Sequence, residues 1–67
     1  MADENLVKAV EEVRRSTQQA VISDACDRAL RERTDESLRR ALITTRESSS
    51  TWVAKRVANR ALGFEDK

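Results

Sequence analysis

Trp52, Lys55, Arg56, Asn59 and Arg60 recur at a spacing that places three cations, an amide and an indole on one side of a short helix. Such a face binds phosphate and stacks a base or a peptide side chain. Arg46 belongs with this group, because Arg46, Lys55, Arg56 and Arg60 all lack an acid four residues before them. Elsewhere the acid comes first in Glu4 and Lys8, Glu11 and Arg15, Asp24 and Arg28, Asp27 and Arg31, Asp35 and Arg39, and Glu36 and Arg40. That order suits solvated helix surface, at about 0.2 to 0.5 kcal/mol a pair. A structural explanation competes for the basic group too: cations near a helix C-terminus complement its dipole, and Trp52 at the edge of the stripe covers the core.

Catalytic chemistry finds little to work with. The chain has no histidine, one cysteine and one glycine, which excludes His-dependent triads, multi-Cys metal sites and Gly-rich phosphate loops. Cys26 lies between Asp24 and Asp27, whose charge opposes a reactive thiolate, so it reads as a small buried residue. Glu11 and Glu12 sit on an exposed helix without a pocket to shift their pKa values. No enzyme activity, cofactor or metal is expected.

The elements that must position these residues are helical. Proline is absent and Gly63 is the sole glycine, while Ala, Glu, Arg, Leu and Gln fill much of the chain, so an all-α fold is predicted. A first helix over about 4–33 starts near Asp3 as cap. Its apolar face is inconstant: Leu6, Val10, Val13 and Thr17 line one stripe, whereas Ile22, Ala25, Cys26 and Ala29 line another displaced by roughly a third of a turn. Either the helix breaks at Ser16-Thr17-Gln18-Gln19, with Ser16 or Thr17 capping a second one, or one long helix turns different faces to different neighbours. The long helix is preferred, since a break normally recruits glycine or proline. Thr34 and Asp35 open a second helix over about 35–47, with Leu38, Ala41, Leu42 and Thr45 as its stripe. After the turn cluster Ser48-Ser49-Ser50-Thr51, a third spans about 51–62, its core side formed by Val53, Ala54, Val57, Ala58 and Ala61. Fusion of the last two through the serines is the alternative. Gly63 supplies the left-handed position beyond the end, and Phe64 folds back there.

Sixty-seven residues make one marginal domain, and without disulfide or metal the remaining reinforcement is oligomerisation or regular packing. The expectation is a small helical bundle completed by homo-oligomerisation, a dimer or higher, with Leu6, Val10, Val13 and Thr17 as the seam. No apolar run exceeds three residues and the start of the chain is acidic, so a soluble, cytoplasmic protein without membrane contact is expected. Thirteen bases balance twelve acids, which gives no global case for nucleic acid. The pattern is uneven, though: residues 37–62 hold six bases against Glu47 alone.

Together these features describe a non-enzymatic regulatory or adaptor protein that binds a protein partner. One alternative is a small transcriptional regulator that binds duplex DNA through the basic face of the 51–62 helix. Residues 37–57 are long enough for a helix-turn-helix, but their junction, Arg46-Glu47-Ser48-Ser49-Ser50, lacks the usual glycine. The other alternative is a structural assembly subunit.

Overall fold

The structure, a computed structural model, describes residues 3–64. Four helices follow one another: α1 (Glu4–Ser16), α2 (Ala20–Glu32), α3 (Asp35–Ser48) and α4 (Trp52–Leu62). No strand occurs among the described residues. α1 packs against all three others and α3 does likewise, while α2 and α4 stay apart as flanks. The resulting slab measures 29 × 28 × 16 Å. No helix among the described residues is long and apolar enough to cross a membrane.

Local signals set most helix ends. The Asp3 carboxylate accepts from the Asn5 N–H at 2.8 Å and caps α1, and the Asp3 N–H donates to Asp35 Oδ1 at 2.7 Å, tying the start of α1 to the start of α3. Thr34 Oγ1 accepts from the Ser37 N–H at 3.1 Å and caps α3. At the end of α4, Gly63 adopts φ 85°, its N–H donating to Arg60 O and the Phe64 N–H to Asn59 O. This paired closure consumes two carbonyls that the last turn leaves free.

The single long first helix does not form. Thr17 and Gln19 are extended (φ −85°, ψ 145° and φ −89°, ψ 125°), conformations open to any residue, so the break needs neither glycine nor proline. Ser16 and Thr17 do not cap α2 either. Thr17 Oγ1 accepts from the Gln19 N–H at 3.2 Å, and Gln19 occupies the N-cap position without a side-chain bond to the helix. Its amide crosses instead to the α3–α4 junction. Nε2 donates to Ser48 O at 3.1 Å, while Oε1 accepts from the Ser50 N–H at 2.7 Å and from Ser50 Oγ at 3.2 Å. The break thus stitches two turns together and rotates the displaced stripe of α2 onto the same core as that of α1.

That rotation removes the expected seam from the surface. Leu6, Val10 and Val13 are buried within the chain's own core, beside Ile22, Cys26, Ala29, Leu38, Ala41 and Leu42, and Thr17 is half-buried. Thr45 is also fully buried, its hydroxyl donating to Ala41 O at 2.9 Å. The charged surface likewise pairs differently. Of the six expected i,i+4 pairs, Glu36 and Arg40 close, at 3.6 Å. Asp27 turns from Arg31 to Arg14 on α1, an ion pair whose hydrogen bond, and then whose charge, raises the Arg14 pKa.

Among the described residues two hold left-handed backbone, Gly63 and Arg33, the latter at φ 53° where α2 ends. They predict effects of opposite sign. Gly63→Val introduces a β-branched side chain at positive φ and lowers stability by about 1 kcal/mol or more, although its Cβ meets no atom within 4 Å. Arg33→Gly relieves the strain of a side chain in that region and raises stability by up to about 1 kcal/mol. Urea midpoints of the two variants check both, and a neutral Gly63→Val would place the end of α4 elsewhere.

Candidate functional site

α4 buries small residues. Ala54 and Ala58 are wholly inaccessible, which lets its backbone approach α1 and α3 closely and centres the buried arc on them. The outward arc therefore carries Trp52, Val53, Arg56 and Arg60, within about 100° of one another. Val53, expected on the core side, is 54% exposed. Trp52 is 69% exposed, so it does not cover the core. Lys55 and Asn59 move the other way: both are half-buried at the edge of the face, and Asn59 Oδ1 is buried without a hydrogen bond. Of the six expected site residues, the fold keeps Trp52, Arg56 and Arg60 on one open surface.

Arg56 and Arg46 each lay a guanidinium group over an aromatic ring. Arg56, one helical turn after Trp52, sits 5.2 Å from the indole centroid. Arg46 reaches from α3 to Phe64, 4.8 Å from that ring's centroid, which is how the residue after Gly63 folds back. Each contact contributes roughly 0.5 to 1 kcal/mol at an exposed site. α4 contains no acidic side chain, and Thr51 at its N-cap makes no side-chain capping bond. The charge that α4 itself contributes is therefore wholly positive.

Arg60 also borders a groove of about 410 Å³ between α1 and α4, floored by Ala9, Val57 and Ala61 and edged by Lys8 and Glu12. A second groove, about 470 Å³, runs between α2 and α3 over Ala25, Ala29 and Ala41, with Val21 at its border. Val21 and Ile43 are exposed apolar residues that periodicity does not single out. Cys26, the one thiol, is fully buried and pushed up to about 11, first by burial and then by the charge of Asp27. Among the described residues no cluster of His, Cys, Asp or Glu has the geometry to hold a metal ion.

Compared with known proteins, no family model, curated sequence or solved structure matches this chain.

Proposed function

We propose that this chain is a non-enzymatic regulatory or adaptor protein that holds a protein partner on the outward face of α4. The observation that supports this reading best is Trp52, the largest side chain in the protein, left 69% exposed beside the half-exposed Val53 and two arginines. Tryptophan and arginine together are the residues that dominate binding energy at protein interfaces. An inaccessible, protonated thiol and the absence of histidine support a role without catalysis.

Trp52→Ala and Arg56→Glu test the reading. Each is expected to change stability by less than about 1 kcal/mol, since both side chains lie outside the core. Each is also expected to abolish co-purification of the partner that the wild-type chain captures from its native host. Full capture by both variants, with helicity unchanged, would eliminate this face.

A second reading rests on the three residues, 49–51, that join α3 to α4. A tight turn followed by a helix facing solvent is the arrangement a helix-turn-helix uses to enter the major groove. Binding to random-sequence duplex DNA that weakens steeply between low and moderate salt favours this reading, because phosphate contacts release counterions. Capture of a protein partner that moderate salt leaves intact favours the first. The assembly-subunit reading loses its seam, since Leu6, Val10 and Val13 lie inside the fold.

A further inference from the structure

Taking the protein-binding reading of α4 as its basis, we infer that the bound element is an acidic amphipathic helix of another protein, with carboxylates flanking an apolar side chain. Charge complementarity is the first ground. The charged side chains of α4, Lys55, Arg56 and Arg60, are all basic, and Arg56 is exposed on the outward face beside Trp52 and Val53. The second is the Arg56–Trp52 stack. A guanidinium laid over a ring has lost much of its rotational freedom, so its planar N–H fork is preorganised for a carboxylate. The same stack covers one face of the indole, which disfavours intercalation of a nucleobase there and leaves the ring edge, with Val53, for an aliphatic or aromatic side chain.

Length agrees with a helical ligand. The 11 residues of α4 extend about 16 Å, which three turns of a partner helix match. A net charge of +1 gives little attraction for a nucleic acid beyond this one face. A second copy of the chain is a poor fit, because each of its acid-bearing outer helices interleaves bases with its carboxylates: Lys8, Arg14 and Arg15 with Glu4, Glu11 and Glu12 on α1, and Arg28 and Arg31 with Asp24, Asp27 and Glu32 on α2.

Trp52 is the only tryptophan, so its emission reports occupancy of the face directly. The full chain is titrated with three synthetic helical peptides of about twelve residues that share their leucine positions and carry Glu, Gln or Lys elsewhere. A short random-sequence duplex DNA serves as a fourth probe. The Glu peptide is expected to shift Trp52 emission to shorter wavelength, saturably, and to bind at least about tenfold more tightly than the Gln peptide, with the Lys peptide inactive. Arg56→Glu removes that preference while circular dichroism stays unchanged, and moderate salt narrows the advantage of Glu over Gln without abolishing binding.

Equal binding of the Glu and Gln peptides, or no binding of the Glu peptide, overturns the acidic ligand. The protein-binding reading then stands or falls by the co-purification test alone. An emission shift caused by concentrating the chain by itself overturns the inference in favour of a second copy. Binding of the DNA with no binding of any peptide overturns the inference and favours the helix-turn-helix reading.

Discussion

Replacing Val10 and Val13 by glutamate unfolds the chain. Both side chains are completely inaccessible and belong to the cluster that includes Ile22, Leu38 and Leu42, so neither carboxylate has water or a cation to meet. Burying an unpaired charge costs several kcal/mol even after relaxation. A domain of this size has about 3 to 10 kcal/mol of total stability, so two such costs exceed it. The measurement is far-UV circular dichroism together with size-exclusion chromatography, and the expected outcome is a coil spectrum with an expanded radius. A folded helical monomer would mean instead that these valines face another copy.

Alkaline pH destabilises this protein through Cys26. The thiol is pushed from its ordinary 9.0 to about 11 in the folded state, mainly by burial and secondly by Asp27, against smaller opposing effects of a Thr45 hydrogen bond and Arg14. Below about pH 9 the thiol is protonated in both states and contributes nothing to the pH dependence. Between the two values the unfolded chain releases the proton and the folded chain retains it, so the unfolded state gains. Stability therefore falls by about 1.4 kcal/mol per pH unit, a loss on the order of 2 to 3 kcal/mol across the window. Urea midpoints measured from about pH 8 to about pH 11 show a steeper decline for the wild type than for Cys26→Ala, which has no thiol to titrate. Identical slopes would place the thiol in contact with solvent. Thiol reagents, for the same reason, react with Cys26 only as fast as the fold opens.

The candidate site was half legible in the residues. Trp52, Arg56 and Arg60 could be assigned to one side of a helix, because their spacing alone determines that they share it. Where that side points could not be read. Counting apolar residues puts Val53 inward, whereas the fold buries Ala54 and Ala58 and turns Val53 out with Trp52. Alanines carry a weak hydrophobic signal, yet they allow the closest approach of backbones, and closeness of approach is a property of the pair of helices. Lys55 and Asn59 left the open face for the same reason.

What the sequence by itself determined is what depends on neighbours within about one helical turn: the all-helical class of the described elements, the Asp3 and Thr34 caps, and the left-handed close at Gly63. Those interactions are complete before any helix meets another. The tertiary structure decided that the helix breaks at residues 17–19, with Thr17 and Gln19 extended, that Leu6, Val10 and Val13 face this chain's own core, and that Asp27 pairs with Arg14. Each of these depends on groups remote in the chain. The Gln19 amide that joins the first break to the α3–α4 turn reaches Ser50, 31 residues away. Its hydrogen bonds arise only when hydrophobic burial has brought the two turns together, so the shift of apolar stripe located a possible break at Ser16-Thr17-Gln18-Gln19 but could not decide it.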